Sequence, residues 1–355
     1  MGDTDLVGRL HFETTRELEA RRSLVDARAA AGVPCEIHGD LRLEHVYDLG
    51  ADARADDLRI VDCVEFSAAL RHGDPASDIA FLAMDLRMHG AWSLADALLE
   101  TWLERIEDPG AAELLPLYSS YRSAVRAKVR AIQARDALAS PEEREHARAL
   151  ARGHLVLAYG ELAAADRRPC LVLVGGLPGT GKSRLAADLE ARAGLVWIRA
   201  DAVRKELAGL DPHASAKGEI LGGLYTRAWN DRTYAECGAR AEQILANGGR
   251  ALIDASFKED HRRAELVALA RRLGVRVRIL ICQAPAAAIR ERLAERTNDP
   301  SDADWAVYEH AVATWEPTTD ATQPYVSTID TDLPHELTVE HALAQLGRDG
   351  LLRVP

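Results

Sequence analysis

Eight consecutive residues, Gly176, Leu177, Pro178, Gly179, Thr180, Gly181, Lys182 and Ser183, concentrate more potential chemistry than any other stretch of the chain. They fit the spacing GxxxxGK[ST], in which glycines let successive backbone N–H groups point at a phosphate while a following helix aims its positive dipole end at the same anion. Lys182 is then placed to bind β and γ phosphates and Ser183 to ligate Mg²⁺ through its hydroxyl, with Arg184 opening the helix behind them. Lysine occurs only at 128, 182, 205, 217 and 258, so a chance match at this spacing is rare. The expected cofactors are ATP and Mg²⁺.

Other residues could turn nucleotide binding into group transfer. Asp201 ends a strand-like run and Arg204 follows one helical turn later. Open α/β sheets bind ligands at that edge, where a carboxylate can take the proton of a substrate hydroxyl and an arginine can hold an anionic or hydroxylated substrate. A helix-capping aspartate followed by surface cations would leave the same letters. Asp254, at the end of the run Leu252-Ile253-Asp254, suits the acid that holds Mg²⁺, although it could equally cap a loop. Arg292 and Arg296 lie four apart, on one helix face, before the polar segment 297–304. There they could close over ATP and neutralise charge on the transferring phosphoryl group, or form a solvated face. Tyr225 and Tyr234 fall on helical segments and are candidates for substrate contact or for packing.

The elements that must position these residues are legible in the apolar pattern. Runs Cys170–Val174, Leu195–Arg199, Arg250–Ile253, Val275–Cys282 and Tyr325–Ile329 alternate with helical segments, the mark of a parallel sheet of about five strands flanked by helices. Before them, apolar residues return every three or four positions in Leu94–Ile106, Leu114–Ile132 and Pro141–Leu162, after an exposed helix over 11–31 and a strand over Leu58–Val64. The short polar run Ala163–Pro169 separates the two patterns, predicting a mostly α-helical domain over 1–165 and an α/β domain over 166–355. Hydrophobic residues at 47% and charged residues at 28% match ordinary globular packing. A net charge of -12 weighs against a nucleic-acid partner gripped by its phosphates. Five cysteines, scattered singly, argue against a zinc site or a disulfide framework. The chain opens without a leader-like segment and holds no run of about 18 apolar residues, so a cytoplasmic protein without membrane spans is expected.

With GLPGTGKS, the D-x-x-R of Asp201 and Arg204, the LIDASF strand and the RLAER segment in place, residues 170–350 resemble a group of P-loop kinases. That group includes gluconate kinase, chloramphenicol phosphotransferase, polynucleotide 5′-kinase and zeta toxins. The resemblance implies transfer of the γ-phosphate of ATP to a hydroxyl, and it leaves the acceptor open because the same frame serves sugars, antibiotics and nucleic-acid ends. In the other half, His38-Gly-Asp40 through His45, followed by Ile60-Val-Asp62, resembles the catalytic and metal loops of the aminoglycoside phosphotransferase family. By that resemblance Asp40 stands at the catalytic base and Asp62 at the Mg²⁺-binding acid. His45 takes the place of a metal-binding asparagine, and imidazole suits Mg²⁺ poorly. Only 37 residues precede His38 and no lysine precedes Lys128, so the lobe carrying the ATP-binding lysine is expected to be absent. The expectation is a non-catalytic, kinase-like C-lobe fused to a P-loop kinase of the AAA ATPase kind that acts on a small molecule. A polynucleotide or nucleotide-sugar kinase and a nucleotide-dependent regulatory switch are the alternatives.

Overall fold

The computed structural model describes residues 2–50, 57–106, 108–211, 226–295 and 305–353. The chain divides into two units: Met1–Ala163 with Arg271–Val275, and Ala164–Ala270 with Arg276–Pro355.

The first unit runs α1 (Gly2–Ala30), β1 (Cys35–Glu36), β2 (Val46–Asp48), β3 (Leu58–Ile60), α2 (Ala68–Arg71), β4 (His72–Gly73), α3 (Pro75–Met88), α4 (Trp92–Ile106), α5 (Pro109–Gln133) and α6 (Pro141–Leu162). Its strands form two antiparallel pairs, β1 with β4 and β2 with β3. The strand expected over 58–64 stops at Ile60, because Asp62 has φ 63, a left-handed backbone that a strand cannot accommodate. Helix starts are set by polar caps. Asp74 accepts from Ala76 N–H ahead of α3, and Ser140 and Glu143 form a reciprocal capping box on α6. One arginine joins three helices: Arg28, near the end of α1, bonds both oxygens of Asp74 at 2.7 and 3.0 Å and reaches Asp108, the cap of α5, at 2.7 Å. Those hydrogen bonds outweigh burial and hold the Arg28 guanidinium above its ordinary range, firmly charged.

The second unit runs β5 (Cys170–Gly176), α7 (Lys182–Ala193), β6 (Val196–Arg199), α8 (Ala200–Leu207), α9 (Arg227–Ala246), β7 (Arg250–Asp254), α10 (Asp260–Arg272), β8 (Arg276–Gln283), α11 (Ala286–Glu295), α12 (Trp305–Ala313), β9 (Val326–Asp330) and α13 (His335–Arg348). Five parallel strands stand in the order β6-β7-β5-β8-β9, flanked by helices, which is a P-loop NTPase fold. All seven residues of the central strand β5 are buried. Val172 and Val174 of that strand share a core with Leu185 and Leu189 of α7, Leu280 of β8 and Leu346 of α13. Among the described residues no helix is long and apolar enough to cross a membrane.

Within the first unit, His154 on α6 is buried, and the Ser123 hydroxyl of α5 donates to its carbonyl at 2.8 Å. Burial, reinforced by Arg126 and Arg130, pulls the imidazole down to about 3. The sign follows directly. Between pH 6.5 and 3 the unfolded chain binds a proton that the folded unit refuses, so the folded state loses stability as the pH falls through that window. Each pH unit there should cost about 1.4 kcal/mol from this group. His154→Gln should flatten the slope of unfolding free energy against pH between 6.5 and 4, measured by urea denaturation. An unchanged slope would contradict the neutral, buried imidazole.

Candidate active site

Parallel register brings the chemistry to one edge. Val174 of β5 stands opposite Asp254 of β7, Asp254 opposite Arg199 of β6, and Gly176 opposite Cys282 of β8. The loop after β5, the acid ending β7 and the start of α8 therefore all leave the sheet at its carboxyl edge, where open α/β sheets bind ligands.

Steric limits shape the loop itself. Gly176 has φ 140, and a Cβ there would fall 2.6 Å from the carbonyl oxygen of Cys282. Gly179, at φ 81, lies beneath α11, where a Cβ would meet Ile289 at 2.8 Å and Leu293 at 3.2 Å. Gly181 caps α7. Half-buried Leu177 and Pro178 form the arch between them, while Arg184 is exposed on the first turn of α7. The Leu177 carbonyl accepts from the Thr180 hydroxyl at 2.7 Å and from Lys182 Nζ at 2.9 Å. The ammonium is thus folded onto its own loop, at the N-terminus of a twelve-residue helix.

Asp254 is 4% exposed. Burial pushes its carboxyl up, partly offset by the Lys182 charge and a hydrogen bond from Ser183, while Asp201 nearby adds to the rise. Its Oδ2 is buried and, among the described residues, has no hydrogen-bond partner. A hydroxyl and a partnerless carboxylate oxygen beside a phosphate loop make an oxygen-donor set that fits Mg²⁺. Arg199, level with Asp254 in the register and one of the charges acting on it, was not singled out in the sequence; its place one residue before Ala200 at a strand end was the available signal.

The remaining sequence candidates scatter in role. Asp201 is partly exposed in the first turn of α8. Arg204, on the same helix, is buried and donates to Asn230 Oδ1 of α9 at 2.8 Å. Tyr234 is buried too, its hydroxyl accepting Phe257 N–H at 3.1 Å. Arg292 of α11 donates to the Thr331 carbonyl at 2.8 Å, just past β9. Tyr225 and Arg296 lie outside the described residues.

In the first unit Asp40, His45 and Asp62 do come together. His45 Nδ1 donates to the Asp40 carbonyl at 2.8 Å and its Nε2 lies 3.3 Å from Asp62 Oδ2. The Asp40 carboxylate is held by both Nε and Nη2 of Arg42, at 3.0 and 2.7 Å. Burial acts to raise this carboxyl, but the Arg42 bonds and charge prevail and hold it below its ordinary range.

Residues 171–318 match the family model described as an AAA domain. An uncharacterized protein of Mycobacterium tuberculosis H37Rv is 32% identical over 303 residues, covering 84% of this chain and 57% of that protein, and one from Mycobacterium bovis matches to the same extent. The chain thus spans little more than half the length of these curated relatives. Among solved structures, a sugar kinase from Janibacter is similar at 19% identity and a TM-score of 0.39, over 50% of this chain and 94% of that one. A gluconokinase from Sinorhizobium meliloti also shares 19% identity, with a TM-score of 0.39 over 51% of this chain and 93% of that one.

The loop geometry makes a testable distinction between glycines. Gly176→Ala places a methyl against a backbone carbonyl and should destabilise the second unit by about 1–3 kcal/mol. Gly194→Ala, at φ 63 with nothing within 4 Å of the new methyl, should cost about 1 kcal/mol. Guanidinium unfolding of both variants checks the order, and equal costs would contradict the close approach at Gly176.

Proposed function

We propose that the second unit transfers the γ-phosphate of ATP to a hydroxyl of a small molecule. The reading is carried by one observation: the partnerless Oδ2 of buried Asp254 lies beside Ser183 and Lys182, at the edge where Asp201 also emerges. Backbone N–H groups of the loop and the N-terminus of α7 would hold the β and γ phosphates, and Lys182 would leave the Leu177 carbonyl for them. Ser183 and Asp254 would hold Mg²⁺, which supplies charge neutralisation on the β and γ oxygens when bound.

Asp201 takes the proton of the acceptor hydroxyl as its oxygen bonds to the γ-phosphorus and the bond to the β–γ bridging oxygen breaks, releasing ADP. Arg204 steadies the acceptor side through α8 and α9, and Arg292 of α11, the helix that covers Gly179, would leave the Thr331 carbonyl to screen the transferring group. The first unit acts as a non-catalytic lobe, since the Asp40 carboxylate is already engaged by Arg42 and is no free base.

Incubation with Mg²⁺ and γ-labelled ATP against pooled sugars, aminoglycosides, nucleosides and 5′-hydroxyl oligonucleotides tests the reading. Label should reach one acceptor class, vanish with Lys182→Ala, and fall by roughly a hundredfold or more with Asp201→Asn while nucleotide binding persists. Label found only in free phosphate would favour a nucleotide-dependent switch, and equal turnover by Asp201→Asn would remove that residue as the base.

A further inference from the structure

The phosphate loop and Asp254 are joined by a turn that places a bulky buried residue where glycine would be expected. Beyond Asp254 the ladder continues for two bonds: Ala255 N–H donates to the Val174 carbonyl at 3.2 Å, and Gly176 N–H donates to the Ser256 carbonyl at 3.1 Å. The next residue, Phe257, is fully buried with φ 50. A left-handed conformation costs a residue with a large side chain about 1–3 kcal/mol and persists only where surrounding bonds over-determine it.

Those bonds come from two helices. Tyr234 of α9 accepts the Phe257 N–H at 3.1 Å, and its hydroxyl lies 3.2 Å from Ser256 Oγ. Arg263 of α10 donates to the Phe257 carbonyl at 2.8 Å. This guanidinium is 0% exposed and makes three further bonds: Nε bonds Asp260 at 2.9 Å, and Nη2 bonds the carbonyls of Glu316 and Pro317 at 2.8 and 3.1 Å. Asp260 in turn accepts the hydroxyls of Thr319 and Thr322, each at 2.6 Å. Burial opposes ionisation of Asp260, yet those bonds with Arg263 keep its carboxyl below the ordinary range, so the buried cation faces an anion.

We propose that Arg263 and Tyr234 are positioning residues of the nucleotide site. They hold Phe257 left-handed, so that the Ser256 carbonyl reaches Gly176 and Asp254 stays level with Ser183. The inference rests on the nucleotide reading above and adds to it the parts that set the distance between the loop and its acid. Metal-free nucleotide binding depends on the α7 N-terminus and Lys182, which are anchored by the packing of Leu185 and Leu189 rather than by this turn. Loosening the turn should therefore strike the metal-dependent part of binding.

The test is calorimetric titration of the whole chain with AMP-PNP, with and without Mg²⁺. Arg263→Gln and Tyr234→Phe should each reduce the Mg²⁺-dependent gain in affinity roughly tenfold or more, the usual effect of losing a group that orients a ligating one, with metal-free affinity near wild type. In an Asp254→Asn background Tyr234→Phe should remove nothing further, the non-additivity expected of residues acting through one another. If Arg263→Gln fails to fold, Tyr234→Phe, which deletes a single oxygen, carries the test. Folded variants that keep the full Mg²⁺-dependent gain, or lose affinity equally with and without Mg²⁺, overturn the positioning role. A wild-type chain that binds no AMP-PNP overturns the nucleotide reading itself.

Discussion

Burial of β5 on both faces is the constraint from which the candidate site follows. Seven residues with no exposed side can exist only at the centre of a covered parallel sheet, and the chain must then leave that sheet at its carboxyl edge, between β7 and β8. The loop at that exit is squeezed. The Cys282 carbonyl closes one side at Gly176, and Ile289 and Leu293 close the top at Gly179, so only glycines fit at these two positions. Register does the rest, carrying Asp254 and the start of α8 to the same edge.

Much of this frame was legible in the sequence because it rests on backbone demands that few residue types meet. All five strands of the second unit lie within a few residues of the apolar runs that predicted them, and α6 has the bounds Pro141–Leu162 read from its pattern. Side-chain direction was less legible. The D-x-x-R spacing places Asp201 and Arg204 on neighbouring turns, but it does not say that α9 would bury the arginine against Asn230. Tyr234 likewise faces the turn after β7, which no local pattern announces. Arg263 is not legible in the sequence for a physical reason: an arginine is ordinarily solvated, and the carbonyls of Glu316 and Pro317 that accept from this one come from more than fifty residues away. Its Asp260 partner, three residues before it at the start of a helix, was the one local hint.

The two halves use charge differently. In the first unit ionic groups are consumed by structure: Arg28 secures the caps of α3 and α5, and Arg42 occupies both oxygens of Asp40. In the second unit, among the described residues, a buried carboxylate oxygen is left without a hydrogen-bond partner beside a lysine that donates to its own loop carbonyl. An unsatisfied buried oxygen is costly in a folded protein, and a bound cation removes that cost. The contrast is why the phosphotransfer reading is attached to the second unit.

The most direct test is a crystal structure of the chain with Mg²⁺ and a non-hydrolysable ATP analogue. The account predicts the phosphates against the N–H groups of Gly179 through Ser183, Lys182 moved from the Leu177 carbonyl to them, and the metal held on the Ser183 and Asp254 side. A nucleotide bound elsewhere, or Lys182 still bonded to Leu177 with nucleotide present, would contradict it.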